Sequence, residues 1–211
     1  MEYKLKRSKR KTISIHINKN KEVTIKAPLY LSMEIIEIFV SNHEKWIKRK
    51  LESIDKQRKT INKLQQEGKT LFEGEEFTLI EGDNRDFWID RDKQKIYLSS
   101  DKEIKLLYLQ EMKKAVEILI PKWSSYGKAN KIFLKAQKTI WGSCTASGDI
   151  NLNYLLVKAP FKVIEYIYLH ELVHLKIKNH SKVFWQEVER LMPDYKQWKN
   201  WLKLNGQLLF L

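Results

Sequence analysis

The sequence contains few of the residues that mark several common classes of protein. Among its 211 residues are one cysteine, four prolines and seven glycines. The single cysteine, Cys144, excludes an internal disulfide and fits a reducing compartment. No apolar run approaches the roughly 18 residues of a membrane helix, and the charged residues 1–11 lack the apolar segment of a signal peptide. We therefore expect a cytoplasmic protein that makes no membrane contact.

What the sequence has instead is a globular composition with an uneven charge. Hydrophobic residues make up 43% and charged residues 31%, so the chain can bury a sizeable core in one large or two small domains. The net charge is +14, and residues 1–70 hold 18 lysines and arginines against 8 acidic residues. This basic front segment suggests an acidic partner, such as a nucleotide or nucleic acid. The alternative is that these lysines only solvate the surface.

The front of the chain reads as a β-rich region with one long helix. Lys11–Asn18 and Glu22–Ala27 alternate apolar and polar residues, which predicts a hairpin. A helix is predicted from Leu31 to about Lys59, with Ser32 as its N-cap. Three further short strands are predicted at Leu71–Ile80, Phe87–Asp90 and Lys95–Ser99.

From about Ser100 the pattern becomes mainly helical. A helix is predicted over Asp101–Lys128, kinked or split at Pro121. Two strands follow, at Lys131–Ala136 and Asp149–Leu156, with a loop over Gln137–Gly148 between them. Three more helices are predicted: one from Pro160 to about Leu175, one that is capped by Ser181 and ends near Leu191, and one from Pro193 to about Asn205-Gly206. Strands followed by helices indicate an α+β fold. We predict a basic N-terminal region over 1–99 and a catalytic core over 100–211, packed as one compact unit.

The strongest functional signal is the pentapeptide His170-Glu171-Leu172-Val173-His174. On a helix, residues four apart share a face, so both imidazoles can bind one zinc ion at about 2.1 Å. Glu171 can then reach a water on the metal without binding the metal itself. The alternative, two histidines satisfied in the core, would require several buried polar partners.

A catalytic zinc needs a third protein ligand, and His180 is well placed to provide it. The spacing equals that of the long HExxHxxGxxH pattern, but Ile177 stands where that pattern has glycine. The chain must therefore turn differently, for example through Lys178-Asn179. Tyr166 lies four residues before His170 and is a candidate to support that ligand by hydrogen bonding, although ordinary packing is the simpler interpretation.

These motifs together resemble one known family. They are Trp141-Gly142-Ser143-Cys144, Asn151-Leu152-Asn153, Pro160, the segment from His170 to Ser181, Phe184-Trp185 and Pro193. In this order they resemble the YgjP-like metallopeptidases, which are related to SprT-like and WLM-type proteins. The match is dense over Lys138–Trp198 and weaker in the front hairpin and at Lys45-Trp46-Ile47. Ile140 departs from the family, which usually has a basic residue there.

The resemblance implies a zincin-like core that holds one Zn²⁺ and cleaves a peptide or protein substrate. It also implies that a strand such as Asp149–Leu156 borders the cleft and that a peptide could pair with its edge. Glu171 would act as general base, and a donor should stabilise the oxyanion. Asn153, Tyr195 and Trp141 are candidates for that donor. Cys144 is interpreted as a buried small residue.

Two other functions stay open at this point. Nucleotide pyrophosphatase activity has been attributed to the family, and lysines of the front region would then hold the phosphates. A nucleic-acid-binding module with a structural zinc is the third hypothesis, although structural sites usually have four protein ligands and would leave Glu171 without a role. The sequence indicates no oligomeric state.

Overall fold

The computed structural model describes residues 2–82 and 87–210. Within these residues the chain forms ten β-strands in three small sheets, six α-helices and two 3₁₀-helices, a mixed α and β fold. The chain divides after Thr60 into two compact units, and each is described by itself. No helix among the described residues is both long enough and apolar enough to cross a membrane.

The first unit contains a three-stranded sheet and α1. Its strands are β1 (Lys4–Ser8), β2 (Ser14–Ile17) and β3 (Val23–Pro28), in the order β1-β3-β2, and α1 spans Met33–Asn42. Alternate residues of β3, namely Val23, Ile25 and Ala27, are buried with Ile36 of α1. The predicted hairpin is confirmed, since β2 and β3 are antiparallel. The lysine- and arginine-rich β1 was not predicted; it pairs with β3 in parallel.

The single long helix predicted from Leu31 to about Lys59 is wrong, because two helices occupy this segment. The second, α2, spans Glu44–Gln66. His43 lies between them with φ −105° and ψ 4°, and its Nδ1 atom is 2.7 Å from the carbonyl oxygen of Phe39. The predicted N-cap is confirmed, since the Ser32 hydroxyl accepts a hydrogen bond from the Ile35 amide at 3.4 Å.

The second unit begins with a four-stranded sheet. Its strands are β4 (Lys69–Phe72), β5 (Glu75–Glu81), β6 (Trp88–Asp90) and β7 (Lys95–Leu98), in the order β4-β5-β7-β6. The single strand predicted over Leu71–Ile80 is therefore a hairpin. Its turn is Glu73-Gly74, and both residues have left-handed backbones, with φ 53° and 92°. Their amides donate to the carbonyl oxygens of Val157 and Lys158 at 2.9 and 3.0 Å.

A second sheet in this unit carries one side of the candidate site. Helix α3 (Asp101–Trp123) is followed by β8 (Ile132–Lys135), β9 (Gly142–Cys144) and β10 (Ile150–Asn153). The order is β8-β10-β9, with β8 parallel and β9 antiparallel to β10. Strand β9 lies where a loop was predicted. Pro121 lies in the last turn of α3 and does not split it, and the helix ends at Trp123, earlier than the predicted Lys128.

The other side of the site is built from the last helices. These are α4 (Phe161–Val173), α5 (Lys182–Leu191) and α6 (Tyr195–Asn205), with 3₁₀-helices at Tyr154–Lys158 and Gly206–Phe210. Helix α4 is buried along nearly its whole circumference, as expected of a helix that is apolar on all sides. Its buried carboxylate, Glu165, pairs with Lys122 and with Lys162 at 3.1 Å.

The sheet of β4 to β7 lies in the same compact unit as the last helices, since the chain divides after Thr60. Its apolar residues, such as Phe72, Phe77 and Ile96, belong to the same hydrophobic core as α4. The division predicted from the sequence, with a basic region over 1–99 and a catalytic core over 100–211, assigns functions to the two regions. It stays a prediction.

Candidate metal centre

Helix α4 delivers the first histidine and the glutamate of the pentapeptide. His170 and Glu171 lie in its last turn, and His174 is the C-cap residue with helical dihedral angles, φ −63° and ψ −16°. The amide of His174 still donates to the carbonyl of His170, at 3.3 Å. Because the backbone stays helical through residue 174, the two imidazoles share one face of the helix.

The chain then turns back so that His180 faces the other two histidines. The amides of Leu175 and Ile177 donate to Leu172 and Val173 at 3.1 and 3.0 Å, which ends α4 two residues earlier than predicted. No residue from 174 to 180 has a positive φ. The turn therefore needs no glycine, and Ile177 is compatible with the position where the long HExxH pattern has one.

Three imidazole nitrogens converge on one point. The Nε2 atom of His180 is 2.9 Å from that of His170 and 3.1 Å from that of His174. The ligand atoms of the three residues all lie within 4.8 Å of one another. Two nitrogens bound to one tetrahedral zinc at about 2.1 Å would be about 3.4 Å apart. The donor type and the spacing both fit a zinc ion with three protein ligands.

The protonation of the histidines also suits metal binding. The Nδ1–H of His174 donates to the carbonyl oxygen of Ile177 at 3.0 Å, which leaves Nε2 with a free lone pair. Burial, followed by the neighbouring His174 and His180, lowers the pKa of His170 to about 3. Burial and His174 also lower the pKa of His180. Imidazoles must be neutral to bind a metal, so these shifts favour the binding form.

Glu171 lies beside the histidines in a nearly dry position. Only 5% of the residue is exposed, and burial raises the pKa of its carboxyl to about 7. A bound dication nearby would lower that pKa, because opposite charge favours the carboxylate. The carboxyl group packs directly against Gly142 of β9, which has no side chain to obstruct it.

An open cleft of about 310 Å³ runs over these residues. Its walls combine the end of α4 with the edge strand β9. The lining residues are Gly142, Ser143, Cys144, His170, Glu171, His174, Lys178 and His180. No role in the cleft was predicted for Gly142, Ser143 or Lys178. Gly142 and Ser143 belong to the Trp-Gly-Ser-Cys motif, which was the available signal for them, but the segment was interpreted as a loop. Lys178 lies in the turn between His174 and His180.

Aromatic side chains form the wall behind the histidines. The Phe184 ring lies 4.8 Å from His170, 4.5 Å from His174 and 4.8 Å from His180, measured between ring centroids. Trp185 stacks on His180 at 5.6 Å, and the Lys199 ammonium lies 3.5 Å from the Trp185 ring centroid. This wall restricts the rotamers of the imidazoles.

Tyr166 and Tyr195 lie together next to the histidine cluster. The Tyr166 ring meets that of His170 edge-on at 6.0 Å, and it stacks on Tyr195 at 6.3 Å. Tyr195 also stacks on Trp185 at 5.7 Å. The Nδ1 atom of His170 has no hydrogen-bond partner among the described residues, so Tyr166 does not hold it through that atom. Burial is the main cause that raises the pKa of the Tyr166 hydroxyl.

Asn153 and Trp141 make their contacts with residues outside the histidine cluster. Asn153 is fully buried, and its amide group donates to the carbonyls of Gln137 at 2.7 Å and Ile140 at 3.3 Å. Its side-chain oxygen accepts from the Leu155 amide at 3.2 Å. The Trp141 ring stacks on Phe210 at 4.8 Å. These contacts give both residues a structural task, and their role as oxyanion donors stays a prediction.

Comparison with models of known protein families assigns the chain to one of them. The model of the YgjP-like metallopeptidase domain matches residues 11–205. The chain therefore belongs to the YgjP-like metallopeptidase family, and it is a peptidase-type hydrolase whose family implies a metal. The family predicted from the sequence is confirmed. No curated protein matches the chain.

Part of the chain is similar to a solved structure, that of the metallopeptidase zymogen of Pyrococcus abyssi abylysin. The identity is 25%, with 48% of this chain and 94% of the other covered, and the TM-score is 0.35. Neither comparison supports binding of a nucleotide or of a nucleic acid. These two binding functions therefore stay predictions.

Proposed function

We propose that this chain is a zinc-dependent metallopeptidase in which His170, His174 and His180 hold the ion and Glu171 is the general base. One observation carries the proposal: three imidazole nitrogens converge within 4.8 Å of one another, beside a buried carboxylate in an open cleft. A closed structural site would need a fourth protein ligand. Among the described residues, no further histidine, cysteine or acid joins this group of possible ligands.

When bound, zinc supplies Lewis acidity, which lowers the pKa of water and polarises a carbonyl group. Glu171 does the proton chemistry. Its carboxylate takes a proton from the attacking water and later gives it to the nitrogen of the leaving amine. Its burial keeps bulk water away from that proton. The His174 bond to Ile177 and the Phe184 wall hold the imidazoles in orientation.

A peptide substrate would lie along β9. The sequence predicted that the strand over Asp149–Leu156 offers its edge, but β10 is the central strand and both of its edges are paired. Strand β9 is one of the two edge strands of this sheet, and its residues Gly142 to Cys144 line the cleft. An extended peptide that pairs with this edge would present its main chain to the cleft.

The oxyanion of the transition state needs a donor, and we propose Tyr195 ahead of the other two candidates. Both amide protons of Asn153 already go to the carbonyls of Gln137 and Ile140. The Trp141 ring packs on Phe210. Tyr195 belongs instead to the aromatic group that contacts His180 through Trp185. Tyr166 supports His170 by its edge-on ring contact.

The test is the substitution Glu171→Gln, with Glu189→Gln as the matched control, since Glu189 is an exposed acid that pairs with Lys196. Purified proteins are analysed for metal by elemental mass spectrometry and assayed on a mixed peptide library and a nucleotide panel. We expect one zinc in each protein and peptide hydrolysis in all but Glu171→Gln. Absence of zinc from the wild type would refute the metal assignment, and cleavage confined to nucleotides would refute the peptidase assignment.

A further inference from the structure

Gly142 is the first residue of β9, and it lies closer to the Glu171 side chain than any other amino acid at this position would allow. A Cβ atom at position 142 would be 2.7 Å from Oε1, 2.8 Å from Cγ and 3.0 Å from Cδ of Glu171. These are the three nearest atoms, and all belong to Glu171. The backbone of Gly142 is not left-handed. Space, and not backbone conformation, is therefore the reason for a glycine here.

The backbone on both sides of this contact has little freedom to retreat. On one side, Gly142 pairs with Leu152 of the central strand β10, and the Asn153 amide donates to the Trp141 carbonyl at 2.8 Å. On the other side, Glu171 extends from the buried helix α4. An added methyl group at position 142 would thus be accommodated by a movement of the Glu171 side chain, which is the only flexible partner in the contact.

We propose that Gly142 is a positioning residue for the general base. The missing side chain lets the Glu171 carboxylate rest against the β9 backbone, beside the histidine cluster, in the place from which it exchanges protons with water. This inference depends on the proposed role of Glu171. None of the three atoms that a Cβ would meet belongs to a histidine, so a substitution at 142 separates proton transfer from metal binding.

The first experiment is Gly142→Ala, with Gly127→Ala as the matched control. A Cβ at Gly127 would meet only Leu175 Cδ1, at the ordinary distance of 3.7 Å. We expect Gly142→Ala to keep its zinc and its fold, with a modest loss of thermal stability from the overpacking, while kcat on the peptide library falls about 100-fold, since a displacement of about 1 Å can have that effect. We expect KM to change little, because the substrate's own contacts are intact. Gly127→Ala should behave as wild type.

A double-mutant cycle then asks whether the effect passes through Glu171. Glu171→Asp shortens the side chain by one methylene, so that no atom remains at the Cδ and Oε1 positions, which are two of the three that a Cβ at position 142 would meet. We expect Gly142→Ala to lower kcat at least tenfold less in the Glu171→Asp protein than in the wild type. Equal losses in both backgrounds would overturn the proposal, because they would mean that position 142 acts independently of the carboxylate.

A crystal structure of Gly142→Ala provides a readout that does not depend on activity. The carboxyl carbon of Glu171 should be displaced by about 1 Å or more relative to the wild type, with β9 and the three histidines in place. A carboxylate in its original position would refute the inference. If the carboxylate moves but Glu171→Gln keeps full activity, the proposed role of Glu171 is wrong, and Gly142 only packs against it.

Discussion

His174 and Ile177 are joined by a hydrogen bond from the imidazole Nδ1–H to the backbone carbonyl, at 3.0 Å. The acceptor belongs to the turn that immediately follows α4, so the same turn that reverses the chain also orients His174, one of the proposed metal ligands. Because the acceptor is a main-chain atom, this support does not depend on which side chain occupies position 177. The identity of residue 177 is then set by packing, and Ile177 packs against the core.

The first prediction concerns the histidines as metal ligands. In the metal-free protein, His180→Ala should change stability little, because His180 is exposed, whereas His174→Ala should lower it through the lost contact with Ile177. Both substitutions should abolish the stabilisation by zinc, which is about 2.7 kcal/mol when the free zinc concentration is 100 times the Kd. Calorimetry with and without a chelator measures both effects. The control is His16→Ala, since His16 is an exposed histidine of β2. A zinc stabilisation that is unaltered in His180→Ala would contradict the assignment of the ligands.

The second prediction concerns Glu165, which is 1% exposed and pairs with Lys122 and Lys162. Glu165→Ala should lower the free energy of unfolding by about 2–4 kcal/mol, since it leaves a cavity and removes the buried carboxylate that pairs with two half-exposed lysines. Urea unfolding measures this. Glu117→Ala removes an exposed acid that lies 3.9 Å from Lys113, and it should stay within about 0.5 kcal/mol of wild type. Similar stabilities for the two variants would show that Glu165 contributes no more than a surface charge.

The third prediction is a pH dependence that comes from Lys158. Burial lowers the pKa of this ammonium from 10.5 to about 8, and the group lies 5.0 Å from the Tyr108 ring centroid. Between these pKa values the unfolded chain binds more protons than the folded one, so the free energy of unfolding rises with pH. The total rise attributable to Lys158 is at most about 3 kcal/mol.

The comparison of wild type with Lys158→Met isolates this contribution, because other groups titrate equally in both proteins. Chemical unfolding at intervals from pH 7 to 11 should give a stability difference that shifts in favour of the wild type as pH increases. The pKa of Tyr108 is raised to about 12 by burial, so its hydroxyl stays neutral over most of that range. A stability difference that is independent of pH would show that Lys158 keeps an ordinary pKa.

The fourth prediction concerns the support of β9 by Asn153. Asn153→Ala removes two hydrogen bonds to the carbonyls of residues 137 and 140 and one to the Leu155 amide. We expect a loss of about 2–3 kcal/mol in stability and faster amide hydrogen exchange over Gly142–Cys144. Asn62→Ala, an exposed position of α2, is the control. Unchanged exchange in β9 would mean that the loop before it is held by other contacts.

The sequence predicted the helical part of the site because its signals are local. The spacing from His170 to His174 determines a shared helix face, and Pro160 and Ser181 indicate where helices begin. The structure has α4 and α5 starting next to these two residues. The family resemblance depended on the same segments, and the family match confirms it.

What the sequence could not predict depends on contacts between distant residues. Strand β9 has only three residues and no alternating pattern, and it is ordered by its pairing with β10. The Glu73-Gly74 turn interrupts an apolar run that reads as one strand, because its left-handed backbone becomes favourable only once the two amides are bonded to Val157 and Lys158. Strand β1 is so rich in lysine and arginine that its β-propensity gave no signal.

The tip of the β4–β5 hairpin has a consequence for how this protein tolerates change. Hairpin tips are usually the places where a chain accepts insertions during evolution. Here a Cβ atom at Gly74 would lie 2.6 Å from Pro160 Cγ, so the tip is in direct contact with the residue before α4. A longer tip would press on the start of the helix whose other end carries His170 and Glu171. We therefore expect relatives of this protein to vary in length at other turns and to keep this one short.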